Sequence, residues 1–314
     1  MSLRLAAISL YLRLAQKPQL ARARNPKRVR DGFERVAARW FRPPTDTNVI
    51  ADRLDGPAGP IPIDWISYKR PDRRSVIIYF HGGAYIMGSR TTHRHIGARL
   101  SEKSGARVVM PEYRLAPEDP FPAAIDDAFS IYKTLLDTGY DASRIALAGD
   151  SAGGGLAFAT FLKARAEGLP DPGCIVGLSP WLDLTMTQQS ITRNARRDPL
   201  LPANRFRDVT EFYLNGGDPS LPYASPLLGE ISNPPPALIQ SSRIELLADE
   251  AEAMAEKWRE AGGDVRLEWW RSAPHAWHIF AGIAPEADDA IARAARFIRE
   301  KLKPEEEDPE DPLL

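Results

Sequence analysis

The stretch that most constrains this chain is RIALAGDSAGGGLA, residues 144–157. The apolar run from Ile145 to Ala148 leads straight into a serine hemmed in by Gly149, Gly153, Gly154 and Gly155. A linker serine would have polar neighbours and no strand before it. This one stands where a buried strand must end and a helix begin. In Gly149-x-Ser151-x-Gly153 the glycines remove Cβ atoms that would clash as the chain reverses sharply. Such a turn exposes the serine hydroxyl at the carboxyl edge of a sheet, with Asp150 and Ala152 beside it. The pattern alone is weak, since roughly one chain of this length in ten carries it by chance. Its place between strand and helix makes Ser151 a candidate nucleophile rather than a structural turn.

The same alternation continues along the chain. Apolar, β-branched runs predict strands at 75–80, 107–111, 144–149, 174–180, 237–242 and 265–270. Helical spacing predicts helices at 91–103, 121–136, 153–166, 248–261 and 285–301. Strands alternating with helices of this length predict an α/β fold, a mostly parallel sheet covered on both faces. The runs VIADRL and IPIDWISY, ahead of the series, read as antiparallel edge strands. At 314 residues the chain can bury one large core.

Two segments stand outside the alternation. Residues 1–44 place Leu3, Ala7, Leu10 and Leu14 on one helical face, and residues 185–223 contain the aromatic-rich RFRDVTEFYL. We expect them to pack together as a helical cap over a core formed by residues 45–184 and 224–303. The acidic, proline-broken tail 304–314 is expected to be disordered. Residues 1–44 carry eleven Lys and Arg against two acids, although the whole chain has a net charge of −1. A solvated helix face is the simplest reading; a membrane surface or acidic partner is the sharper one. The single cysteine, Cys174, lies in the apolar run CIVGL and reads as a buried, inert thiol. One cysteine, no secretory cleavage pattern and no span-length apolar window together point to the cytoplasm, with no stable membrane insertion. No phosphate-loop pattern or nucleic-acid partner is indicated.

A serine hydroxyl needs a base, the base needs an acid, and the reaction needs donors for an oxyanion. His81-Gly82-Gly83-Ala84 follows the strand ending at Phe80, and side-chain-free residues there let backbone N–H groups approach a substrate. Of five histidines, His81 belongs to that motif, and His93 and His95 open a helix. His275 and His278 follow the late strand VRLEWW, where the order serine, acid, histidine puts a base. His275 lies nearer the strand end and is favoured. Glu245 just past ALIQSS is favoured as the acid, because Asp249 and Glu250 are explained as charges at a helix start. The His pairs lack a carboxylate or cysteine at ligand spacing, so neither reads as a metal site.

With these residues in view, the chain resembles the bacterial hormone-sensitive-lipase-like carboxylesterases of the α/β-hydrolase fold. HGGAY, PEYRLAPEDPFPAAIDD, GDSAGGGLA, SPWLDLT, ELLADEAE and PHAWHIF occur in that family's order and span nearly the whole chain. The resemblance implies Ser151 as nucleophile, Glu245 as triad acid and His275 as base. It implies an oxyanion hole at Gly82, Gly83, Ala84 and Ala152, in a site shaped by His81, Gly149, Asp150 and Gly153. Three departures stand out: Ala84 where glycine is commonest, Glu245 where aspartate is usual, and Ser242 where many relatives carry glycine. The expected activity is hydrolysis of short- to medium-chain carboxylic esters without cofactor or metal, on a small-molecule ester, with a homodimer left open. Amidase or peptidase chemistry on the same triad is the first alternative. A binding protein that lost catalysis is the second, although such relatives typically lack the histidine that His275 supplies.

Overall fold

Eight strands form one sheet in the order β1-β2-β4-β3-β5-β6-β7-β8 in the computed structural model, which describes residues 1–302. The strands are β1 (Thr47–Leu54), β2 (Ile61–Tyr68), β3 (Asp72–Phe80), β4 (Ala106–Pro111), β5 (Ile145–Asp150), β6 (Cys174–Leu178), β7 (Ala237–Ser242) and β8 (Val265–Trp270). From β4 to β8 across the sheet all pairs are parallel, while β1–β2 and β2–β4 are antiparallel. Every residue of β5, β6 and β7 is buried, as continuous apolar strands covered on both faces must be.

The N-terminal segment forms α1 (Leu3–Tyr11), α2 (Lys17–Arg22) and α3 (Pro26–Trp40). Helices α4 (Arg90–Ser104), α5 (Ala123–Asp137) and α6 (Ala152–Ala166) follow β3, β4 and β5. A single turn α7 (Ser190–Arg193) and α8 (Phe206–Leu214) lie between β6 and β7, and α9 (Ala248–Glu260) and α10 (Pro285–Lys301) complete the chain. One core cluster packs α5, α6 and α9 on one face of the sheet. The second packs α4, α10 and Leu5 of α1 on the other.

Two expectations need correction. IPIDWISY is not an edge strand: β2 is bonded on both sides, leaving β1 and β8 at the edges. The N-terminal helix also turns its other side inward. Leu5 and Leu12 are buried, whereas Leu3 is 91 % and Leu14 68 % exposed. Polar anchors set this rotation. The Ser2 hydroxyl donates to Glu286 Oε2 at 2.8 Å, while Arg13 and Lys17 reach carbonyls between residues 195 and 198. The tail expectation lies outside the described residues. Among the described residues no helix is long and apolar enough to cross a membrane.

Parallel register builds the site. Phe80 pairs with Gly149, Asp150 with Leu178 and Ser242 with Trp270, so the loops after β3, β5, β7 and β8 emerge at one carboxyl edge.

Candidate active site

Ser151 sits between β5 and α6 at φ 51° and ψ −121°, a conformation that only surrounding contacts can hold. Its N–H donates to Leu178 O and its carbonyl accepts from Trp181 N–H, both at 2.9 Å. The crossing of this turn by the end of β3 leaves no room for side chains. A Cβ on Gly153 would stand 2.0 Å from Phe80 O, and one on Gly149 2.3 Å from Gly153 O.

His275, in the loop after β8, bridges two partners. Its Nε2 lies 2.8 Å from Ser151 Oγ and its Nδ1 2.7 Å from Glu245 Oε2. A carboxylate only accepts, so Nδ1 carries the proton and Nε2 is left to accept from the serine hydroxyl. Glu245 is wholly buried, and its other oxygen accepts from the Ser242 N–H at 2.7 Å and from the Ser241 hydroxyl. Burial by itself lowers the His275 pKa. The hydrogen bond and charge of Glu245, with the charges of Asp198 and Asp150, outweigh it and leave the imidazole above its ordinary value.

The competing residues go elsewhere. Asp249 accepts from Ser190 N–H at 2.8 Å and pairs with Arg193. His278 is buried 2.9 Å from Gln240 Oε1, and burial lowers its pKa to about 3. His93 faces Asp150 at 3.5 Å, whereas His95 meets Ile279 O at 2.8 Å. Among the described residues no three His, Cys, Asp or Glu side chains converge to hold a metal ion. Cys174 is buried, which pushes its thiol up to about 12.

One proposed donor needs correction. The Gly82 N–H is committed to Asp150 Oδ1 at 2.9 Å and is not available as a donor. Among the described residues the N–H groups of Gly83, Ala84 and Ala152 have no hydrogen-bond partner. Asp150 also accepts from the Tyr79 hydroxyl at 2.7 Å and so ties the β3 loop to the serine turn. Burial would raise this carboxyl, but His93, Tyr79 and His81 hold it at about 2. His81 stacks on Tyr113 at 4.3 Å, and the Tyr113 hydroxyl donates to His81 O at 2.6 Å. Ser241, Tyr79 and Asp198 were missed from sequence. Ser241 adjoins the noted Ser242, but the other two carry no local signal.

Residues 77–279 match the family model described as the α/β-hydrolase fold. An acetyl-hydrolase of Streptomyces hygroscopicus is 41 % identical over 236 residues, covering 75 % of this chain and 79 % of that protein. An esterase of Acinetobacter venetianus is 34 % identical, covering 71 % of this chain and 74 % of its own. A crystal structure of an esterase from the bacterial hormone-sensitive lipase family superposes with a TM-score of 0.88 at 37 % identity, over 96 % of this chain and 99 % of that one. The chain belongs to the bacterial hormone-sensitive-lipase family of α/β-hydrolases.

In this α/β-hydrolase a cavity open to solvent lies over Ser151. Ala84, Trp181 and Leu247 form its floor and sides. Leu20 and Val29 close it from the N-terminal helices, and Phe206 and Phe212 from α8. The aromatic rings of Trp181, Phe206 and Phe212 line it. Tyr213 and Trp277 are buried in the cores, and Phe280 packs on Phe41 with ring centroids 6.1 Å apart.

Proposed function

We infer that the chain is a carboxylic ester hydrolase that works through Ser151, His275 and Glu245 by way of an acyl-enzyme. The observation that carries this is the unbroken hydrogen-bond chain from Ser151 Oγ through His275 to Glu245. His275 Nε2 takes the Ser151 proton as Oγ attacks the ester carbonyl, and Glu245 stabilises the imidazolium that forms. The oxyanion of the tetrahedral species accepts from Gly83, Ala84 and Ala152, whose N–H groups are free before substrate arrives. His275 then returns the proton to the leaving alcohol. Water, activated by the same imidazole, releases the carboxylic acid and restores Ser151. No cofactor enters the balance.

The substrate side of the proposal is a short- to medium-chain acyl ester. The cavity over Ser151 is lined mainly by apolar side chains, among them Leu20, Val29, Leu201, Phe206 and Phe212, which suits an acyl chain. The two segments outside the core supply much of its wall, which supports their reading as a cap. Relatives named acetyl-hydrolase and esterase point the same way. Cytoplasmic residence is part of the same proposal and fits the lone buried thiol.

The test is turnover of p-nitrophenyl esters from acetate to dodecanoate, beside a matched anilide. Wild type should prefer the shorter esters, and Ser151→Ala should lower kcat by ~10⁴-fold or more. An anilide preference would make the chain an amidase. Ester inactivity of the wild type would leave only a binding role.

A further inference from the structure

Glu245 is held at both ends. Its carboxylate meets His275, Ser242 and Ser241, whereas its backbone is held by a segment from outside the core. Asn194 Nδ2 donates to Glu245 O at 2.9 Å and to Arg243 O at 3.2 Å. Asp198 Oδ2 accepts from the N–H of Leu246 at 3.1 Å, and the Ser190 hydroxyl donates to Leu246 O at 2.5 Å. Asn194, Asp198 and Ser190 are all fully buried. The three side chains therefore bind the polypeptide immediately around the acid.

The same segment is gripped from its other side. Arg13 donates to the carbonyls of Arg196 and Arg197, both at 2.6 Å, and Lys17 Nζ donates to those of Ala195 at 2.7 Å and Asp198 at 2.6 Å. Four consecutive carbonyls are thus bound by two cations one helical turn apart. These are charge-assisted bonds, roughly twice as strong as neutral ones. α7 is a single turn, and the Arg13 and Lys17 bonds grip the residues that directly follow it, including Asp198 of the clamp.

We propose that Arg13 and Lys17 position the triad acid through a clamp made of residues 190–198, in which Asn194 and Asp198 contact the Glu245–Leu246 backbone. This rests on the proposed function of Glu245 and extends it. The N-terminal segment is then more than a pocket wall: it sets the carboxylate that orients His275. Asp198 has a second effect, since its buried charge faces the imidazole together with those of Glu245 and Asp150. The positioning residues never touch substrate, so their signature is in kcat and not in KM.

The experiment is a double-mutant cycle with p-nitrophenyl acetate, combining Arg13→Gln/Lys17→Met with Glu245→Gln. In the wild-type background the pair should lower kcat about tenfold or more, with KM within threefold. The acid limb of kcat/KM should also move to lower pH, as Glu245 loses hold of the imidazolium. The swap Arg13→Lys/Lys17→Arg should restore at least half the activity. In the Glu245→Gln background the pair should change kcat less than twofold, because no positioned acid is left to disturb. Equal losses in both backgrounds, or a change confined to KM and chain-length preference, would overturn the proposal. Wild-type activity in Glu245→Gln alone would instead overturn the triad reading, so the two failures are distinguishable.

Discussion

Ser151 is held in a backbone conformation that costs of order 1–3 kcal/mol, and the flanking glycines show what is gained. The hydroxyl stands clear of its own chain and meets an imidazole already oriented by a buried carboxylate. Glu245→Gln keeps the shape of that carboxylate but replaces an acceptor of the Nδ1 proton with an amide that can favour the wrong tautomer. We expect kcat to fall by ~10³–10⁴-fold, measured with p-nitrophenyl butyrate. Asp249→Asn should cost less than ~10-fold, because that side chain serves Ser190 and Arg193. The reverse order would make Asp249 the acid. The sequence favours Glu245 because Asp249 begins a helix, where an acid has an ordinary explanation, and Glu245 is the carboxylate 2.7 Å from His275 Nδ1. Asn194, Asp198 and Ser241 were not legible. Their partners lie in another segment or along a strand end, and no spacing announces a hydrogen bond made only after folding.

At the scale of elements, the strand and helix alternation was legible because strands covered on both faces are written as unbroken apolar runs. The orientation of α1 was not. Leu3, Ala7, Leu10 and Leu14 share one face and Leu5, Ile8 and Leu12 another, and the spacing does not say which faces inward; Ser2, Arg13 and Lys17 find partners some 180 to 280 residues away and turn the first face outward. In α8, Phe206, Val209 and Phe212 line the pocket, so on the proposed reading this helix limits acyl length. Phe206 packs edge-on against Trp181 with centroids 5.5 Å apart, and both line the cavity above Ser151. Phe206→Ala removes a wall. Each extra methylene accommodated is worth roughly 1 kcal/mol or more of transition-state binding, about fivefold in kcat/KM. The octanoate-to-butyrate ratio of kcat/KM should therefore rise at least fivefold. A ratio unchanged in a chain-length series would mean that the acyl chain leaves Ser151 in another direction.

For the molecule as a whole, its histidines tie stability to pH in opposite senses. His81, His95 and His278 are each lowered to about 3, chiefly by burial. Each also leaves one ring nitrogen without a partner: Nε2 of His81, and Nδ1 of His95 and His278. A second proton would sit there buried and uncompensated. Unfolded, all three would titrate near 6.5. Between that value and about 3 the unfolded chain binds more protons, so stability falls as pH falls, by up to ~1.4 kcal/mol per unit for each histidine. His275 runs the other way. Its raised pKa contributes stability that is full below the unfolded value and is lost as pH rises through the folded one. From pH 6.5 down to 4.5 the three depressed histidines dominate, and the urea midpoint should drop steeply. His278→Gln can keep the bond to Gln240 Oε1 while removing one titrating group. Whatever its stability at pH 7, its loss between pH 6.5 and 4.5 should be ~2 kcal/mol smaller than the parent's. An unchanged slope in urea titrations at the two pH values would mean that His278 takes up its proton inside the folded protein, and that the packing around Trp277 opens to let it.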